Sequence, residues 1–397
     1  MWGYEMRGLK YISWGNNSGY AIAAKSYVRA LIDVGIAVTW TPIVSGNKLN
    51  EPERINTWPY SKLNTVCNRA IDYDTVLIHT IPECYPEWID RERLQGRRIF
   101  GYTVWEFDYL QNHWPEILNR LDGVIVPCTW NVDVFRNSGV TVPIHVVPHL
   151  SQFEDVSVPT NASRMALQSR LGNETQYKDC FVFYTIGEWS NRKAHYLTLE
   201  AYWQAFDADD PVVMIVKTSA NDITTWHRHW RNLFRNRHQN PEKSIAKLLK
   251  KYPHPAPVLI LTDDSLSDEE MFALHEMGDC YISLARTEGW GLGAFEAARL
   301  GKPVVMTGYG GQLDYLSPDL SWMVDYEMVS VYEPGRPANL KPGVLWAAPS
   351  VSHAATQLRE VYDNQLAATA QAQQLAGRIA VDFSREATVN SLLAALS

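Results

Sequence analysis

Short apolar, β-prone runs alternate along this chain with helix-spaced stretches, and that alternation narrows its possible folds more than any other feature. Residues 9–13, 37–40, 75–78, 98–103, 123–126 and 144–147 read as strands, and residues 20–34, 113–121 and 131–137 as helices. Helices placed between successive strands call for parallel crossovers, hence a parallel sheet wrapped by helices. Residues 151–179 break the rhythm: they are polar, contain Pro159 and Gly172, and hold one helical stretch at 163–170. Strands then restart at 180–186, 212–217, 258–262, 280–285 and 303–307, with a helix over 194–206. Ser267-Asp-Glu-Glu270 has the spacing of a capping box, and residues 384–396 read as a last amphipathic helix. At 397 residues the chain exceeds what one core usually organises, so the polar interruption reads as the link between two domains.

Composition excludes some classes. A net charge of −8 disfavours a surface that grips phosphate backbones throughout, because such binding rests on Lys and Arg. Fifteen Trp and twenty Tyr can fill cores, and they also suit carbohydrate, whose apolar ring faces pack on aromatic surfaces. The five cysteines are scattered without a C-x-x-C pair, which points to reduced thiols rather than a disulfide framework or zinc knuckle. No apolar stretch reads as a secretory signal or membrane helix, so the expected location is cytoplasmic.

One segment runs against the acidic balance. Residues 224–252 carry Arg228, Arg231, Arg235, Arg237, Lys243, Lys247, Lys250 and Lys251 against the single acid Glu242. This is either a solvated helical face or a contact for an anionic partner, a nucleic acid or a membrane surface met peripherally. His227 and His229 within it are two apart, which is not metal-ligand spacing on a helix, and no metal site is expected.

The chemistry concentrates in Glu288-Gly-Trp-Gly-Leu-Gly-Ala-Phe-Glu296. A strand ends before it and a helix starts within it, and N–H groups at such a helix start favour a phosphate. Carboxylates on both sides of a phosphate loop would repel the ligand unless it also offers hydroxyl donors, as a sugar and a ribose do. The pair therefore suggests a nucleotide sugar. Gly289-Trp-Gly291-Leu-Gly293-Ala294 also matches the dinucleotide fingerprint G-x-G-x-x-A, with Asp314 twenty residues beyond Ala294. That reading places the fingerprint late in the chain and leaves Glu288 without a role. A purely structural glycine turn is the third reading.

Glu288-x7-Glu296, followed by Ala-Ala-Arg-Leu-Gly-Lys-Pro-Val-Val and Gly310-Gly311, resembles the family-4 retaining glycosyltransferases of the GT-B fold. The resemblance covers most of the chain and is strongest over residues 281–316. It implies an α/β fold of two Rossmann-like βα lobes facing across a cleft. Residues 1–155 would form the acceptor side, 156–380 the nucleotide-sugar side, and 381–397 a helix returning to the first lobe. It implies transfer from a nucleotide-diphosphate sugar, with that co-substrate in place of any cofactor or metal.

In such a family Glu288 would lie against the transferred sugar and Glu296 on the ribose, with Gly289, Trp290, Gly291 and Leu292 near the diphosphate. Lys193 fits the family's phosphate-binding lysine, whereas its arginine position reads Glu188 here, and Arg192 is the candidate to supply that charge. Lys217, at the end of an apolar strand, is a further cation. In the first lobe, Gly15-Asn-Asn-Ser-Gly19 resembles the family's donor-facing glycine loop. His79, following the strand at 75–78 at an expected cleft edge, is a further catalytic candidate, the other reading being a buried, hydrogen-bonded histidine. Glu106 and Asp108 stand where relatives carry a histidine, so they are candidates for the acceptor-side acid or base. The acceptor expected first is a saccharide. A hydroxymethylated DNA base, or a binding protein without chemistry, are the alternatives.

Overall fold

A computed structural model of the protein describes residues 6–16, 18–43, 61–154, 156–172, 177–224, 240–262, 266–331 and 343–397. They form two compact units, one running to Gln152 and resuming at Val381, the other running from Phe153 to Ala380.

The first unit is a run of βα steps: β1 (Leu9–Trp14), α1 (Gly19–Asp33), β2 (Val38–Ile43), α2 (Ser61–Val66), β3 (Thr75–His79), α3 (Tyr85–Arg93), β4 (Arg98–Tyr102), α4 (Trp114–Leu118), β5 (Gly123–Val126), α5 (Thr129–Asn137) and β6 (Ile144–Val146). Its strands pair in parallel in the order β2-β1-β3-β4-β5-β6. The central strands are buried on both faces, as a parallel sheet covered by helices requires. That explains why they read as apolar runs. Lys10 is the exception within β1. Its ammonium meets Glu92 at 3.1 Å and lies 4.9 Å from the Trp88 ring, so the buried charge is paired.

The second unit repeats the plan with α6 (Asn161–Arg170), β7 (Phe181–Ile186), α7 (His195–Ala205), β8 (Val212–Lys217), α8 (Pro241–Leu249), β9 (Val258–Leu261), α9 (Asp268–Met277), β10 (Cys280–Ser283), α10 (Leu292–Arg299), β11 (Val304–Thr307) and β12 (Trp322–Val324). Its parallel order is β12-β11-β10-β7-β8-β9. The Ser267 capping box that opens α9 forms as expected, side chain and backbone satisfying each other's ends. A hairpin, β13 (Tyr326–Ser330) with β14 (Leu345–Pro349), and two helices, α11 (Val351–Asp363) and α12 (Gln365–Asp382), follow; none of these four had a sequence expectation. α11 packs Ala354, Leu358 and Val361 into the core of β7, β8, β10 and α7.

The last helix, α13 (Arg385–Leu396), joins the first unit. Val389, Leu392, Ala395 and Leu396 enter the core built on β1 and α1, and Arg98 donates to the Leu396 carbonyl at 2.8 Å. The fold is the expected one: two βα lobes, with the terminal helix packed on the first.

Of the basic segment, residues 225–239, with Arg228, Arg231, Arg235, Arg237 and the pair His227 and His229, lie outside the described residues. Lys243, Lys247, Lys250 and Lys251 are described and exposed, on and just beyond α8.

Candidate active site

In an open parallel sheet, ligands bind outside the carboxyl ends of the strands where the strand order reverses. In the second unit the chain runs outward from β7 through β8 to β9, then returns to the other side of β7 with β10. The reversal therefore lies between β7 and β10. The loop leaving β7 carries Arg192 and Lys193, and the loop leaving β10 carries Glu288.

These three side chains meet. Arg192 Nη1 donates to Glu288 Oε2 at 3.1 Å and to the Thr287 carbonyl at 3.1 Å, and Lys193 Nζ donates to Glu288 Oε1. Burial works to raise the Glu288 pKa, but the charges and hydrogen bonds of Lys193 and Arg192 outweigh it and hold the carboxyl below its usual range. Glu288 is thus ionised at neutral pH, and two cations around one carboxylate leave one net positive charge.

The loops are held in shape by their own backbones. The Arg192 carbonyl accepts from the Arg286 amide at 2.8 Å, which ties the two loops together. His195 is buried, and its Nε2 lies 3.0 Å from the Gly187 carbonyl, closing the β7 loop on itself. That contact places the proton on Nε2, and burial depresses the imidazole pKa to about 4, so the ring is neutral. Between Lys193 and His195, Ala194 adopts φ +48, a left-handed conformation that is uncommon outside glycine. Such strain persists only where the surroundings enforce it, here at the residue following the lysine.

On the β10 side, Gly291 has φ +83 and opens α10, and an added Cβ would sit 3.2 Å from Tyr315 Oη. Gly310, at φ +118, leaves room for a Cβ only 2.6 Å from the Glu288 carbonyl, a distance real Cβ atoms do not show. The neighbouring Gly311 amide donates to that carbonyl at 2.8 Å. Glu288 is therefore fixed through its backbone as well as its carboxylate. Two buried oxygens near it, Thr287 Oγ1 and Gln312 Oε1, make no hydrogen bond within the protein.

The other expected donor-side residues fall around this core. Gly289 and Leu292 belong to the same loop and helix start. Glu296 is fully buried on α10. Trp290 turns its indole into the protein, 4.9 Å from the Tyr315 ring and 5.1 Å from Phe295, so only its backbone is left to meet a ligand. Lys217 ends β8 opposite Ile186 of β7, and its carbonyl accepts from Gly187 at 3.1 Å. Glu188 is exposed on the β7 loop.

The first unit has its own reversal, between β1 and β3. Gly19 begins α1 after β1, behind the Ser18 cap, and His79 ends β3. The His79 ring is buried, with Nδ1 2.7 Å from Tyr11 Oη and its plane stacked 4.1 Å from Tyr102. Burial, aided by the neighbouring His149, holds its pKa well below the usual histidine range. Glu106 and Asp108 are half-buried on the loop after β4. That loop is clamped by Asn131, which donates to the Trp105 carbonyl at 2.8 Å and accepts from the Trp105 amide at 3.3 Å.

Among the described residues one group could gather a metal ion: Asp207, Asp209 and His254, all exposed. They precede β8 and β9, at the end of the sheet opposite the loops above.

Tyr315, Gln312, Gly310 and His195 complete the site and were not among the expected residues. Only the Gly310-Gly311 pair left a trace in the sequence.

Residues 237–392 match the family described as family 4 glycosyltransferases in conflict systems. No curated protein matches the chain. Solved structures share its fold at low identity. HepE of Anabaena, in complex with UDP and glucose, is 13% identical with a TM-score of 0.65, and 98% of each chain is covered. Sucrose-phosphate synthase of Thermosynechococcus elongatus gives the same 13%, 0.65 and 98% of each chain. A glycosyltransferase of Rickettsia africae is 11% identical at a TM-score of 0.64, again over 98% of each chain. Fold and family match agree: the chain has the GT-B fold, and residues 237–392 resemble the family 4 glycosyltransferases.

Proposed function

We propose that the protein moves a sugar from a nucleotide-diphosphate sugar to a hydroxyl of a saccharide acceptor, with retention at the anomeric carbon. One observation carries this reading: Glu288 held between Arg192 and Lys193 at the strand-order reversal, beside the glycine-led start of α10. A site with surplus positive charge and open N–H groups suits a diphosphate. A fixed, ionised carboxylate in the same place suits sugar hydroxyls, which donate to it.

The bond from the anomeric carbon to the phosphate oxygen breaks as the bond to the acceptor oxygen forms on the same face. The acceptor's proton passes to the departing phosphate oxygen. Lys193, Arg192 and the amides at the start of α10 stabilise the negative charge that gathers on the diphosphate, the largest lever a site without a covalent nucleophile has. On the acceptor side, the half-buried carboxylates of Glu106 and Asp108 are the groups we assign to orienting the hydroxyl. His79, stacked and hydrogen-bonded in the first unit, fits a supporting role. The reading needs no metal or cofactor, and it fits a cytoplasmic setting, where nucleotide sugars are made. No helix among the described residues is long and apolar enough to cross a membrane.

HepE was solved with UDP and glucose, so UDP-glucose is the first donor to try. The test is release of nucleoside diphosphate from UDP-glucose, UDP-N-acetylglucosamine, ADP-glucose and GDP-mannose, with and without oligosaccharide acceptors. Release that Lys193→Ala abolishes is the expected result; no release from any donor counts against the reading.

A second acceptor has an observation behind it. Lys243, Lys247, Lys250 and Lys251 stand exposed on and just beyond α8, and Lys251 pairs with Glu200 at 2.9 Å. A nucleic-acid acceptor would use such a patch. Duplex binding that weakens steeply with salt and is lost in a Lys243→Glu/Lys247→Glu variant would favour it, and no binding at low salt would remove it.

A further inference from the structure

The Tyr315 hydroxyl bears on the loop between Glu288 and α10. It donates toward the Trp290 carbonyl at 2.9 Å and the Gly291 carbonyl at 3.0 Å. A trans peptide is planar, with C=O and N–H on opposite sides, so fixing a carbonyl fixes the next residue's amide in the opposite direction. Holding these two carbonyls therefore aims the amides of Gly291 and Leu292 away from Tyr315. Leu292 is the first residue of α10, and the opening N–H groups of a helix have no acceptor within it. The Cβ position of Gly291 lies 3.7 Å from Glu288 Cγ, so this turn runs beside the side chain that Lys193 and Arg192 hold.

The ring that delivers the hydroxyl is itself wedged. Tyr315 is buried, 4.9 Å from Trp290 and 5.1 Å from Phe295 by ring centroids. It follows the short 3-10 turn of Gly311–Asp314, whose Gly310-Gly311 entry is pinned to the Glu288 carbonyl. One turn thus anchors both the backbone of Glu288 and the peptide planes two and three residues beyond it.

We propose that Tyr315 is a positioning residue for the donor diphosphate. Its hydroxyl sets the Trp290–Gly291 and Gly291–Leu292 peptide planes so that their amides meet the phosphate oxygens without reorganising. This rests on the donor-site reading given above. Such preorganised donors act most strongly where charge grows, so the effect belongs to the diphosphate and to kcat, not to the nucleoside.

The test is Tyr315→Phe, which keeps the ring and removes only the hydroxyl. UDP, ADP, GDP, CDP and TDP are titrated into wild type, and the tightest binder and its parent nucleoside are then titrated into both proteins. The expected result is a loss of about five- to tenfold in diphosphate affinity, on the scale of one lost hydrogen bond, with nucleoside affinity unchanged. With a donor in hand, kcat should fall while KM moves less. A variant that binds the diphosphate as wild type does, or that loses diphosphate and nucleoside in equal proportion, overturns the inference and leaves the donor site standing. A wild-type protein that binds none of the five diphosphates while Tm reports it folded overturns both.

Discussion

Replacing Glu288 by Gln separates the electrostatic role of that side chain from its shape. In the native protein the carboxylate accepts from Arg192 at 3.1 Å and from Lys193. Gln preserves the volume, removes the charge and turns one acceptor into an N–H that faces a cation. Arg192 is buried, and a buried charge left without its partner costs about 3–5 kcal/mol. The Lys193 side chain keeps 20% of its exposure, so water screens part of its charge and the lower end, about 3 kcal/mol, applies. Denaturant unfolding should show that loss. In turnover, a charged hydrogen bond to a sugar hydroxyl is worth about 1.5–3 kcal/mol, hence a fall of about ten- to a hundredfold in kcat/KM. Affinity for a sugar-free nucleoside diphosphate should hold or rise, because Glu288 no longer competes for the two cations. Wild-type kcat/KM in a folded Glu288→Gln protein would reduce Glu288 to a structural residue. A loss of diphosphate affinity parallel to the loss of turnover would refute the charge argument.

Three further outcomes follow from the same geometry. Lys193→Ala should lower turnover at least about tenfold while Glu288 stays folded against Arg192, as initial rates beside an unfolding curve would show. Gly291→Ala forces an L residue to φ +83 with its Cβ against Tyr315 Oη, and should cost about 1–2 kcal/mol in stability together with most of the activity; an unchanged Tm and rate would contradict it. Acid should destabilise the protein earlier than carboxylates alone would make it do. His79 is held well below the usual range, His149 and His275 at about 3 and His195 at about 4, all mainly by burial, whereas the unfolded chain takes up these protons near pH 6.5. Between those values the unfolded state binds more protons. The stability is then complete above about pH 6.5 and is lost as pH falls toward the folded values. A Tm constant from pH 7 to pH 5 would show that these rings protonate in place.

What could be read from the sequence follows from what each residue does alone. The inner strands of both sheets announce themselves because they are buried on two faces and must be largely apolar, as in Val-Leu-Ile of β3 or Val-Val-Met-Ile-Val of β8, whereas the short edge strand β12 raised no expectation. α11 and α12 escaped notice because half of their buried residues are alanine, Ala354, Ala355, Ala368 and Ala372, which carries little hydrophobic signal. At the site, Glu288, Arg192 and Lys193 could each be picked out as charges on loops. Nothing local says that they bind one another, since the contacts span 95 and 96 residues and depend on the reversal of strand order between β7 and β10. Trp290 is a related case: its place in the glycine loop is plain in the sequence, but the packing of its ring on Tyr315 and Phe295 is not. Tyr315 itself is invisible as a functional residue, because only the fold brings its hydroxyl to the carbonyls of Trp290 and Gly291.

The most direct test of the donor site is a crystal structure of the protein with the nucleoside diphosphate it binds most tightly. Diphosphate oxygens are expected within hydrogen-bond distance of Lys193 Nζ, the Arg192 guanidinium and the amides of Gly291 and Leu292, with Glu288 turned toward the place of the sugar. A nucleotide bound elsewhere, with the Glu288 carboxylate still closed on Arg192 and Lys193, would contradict it.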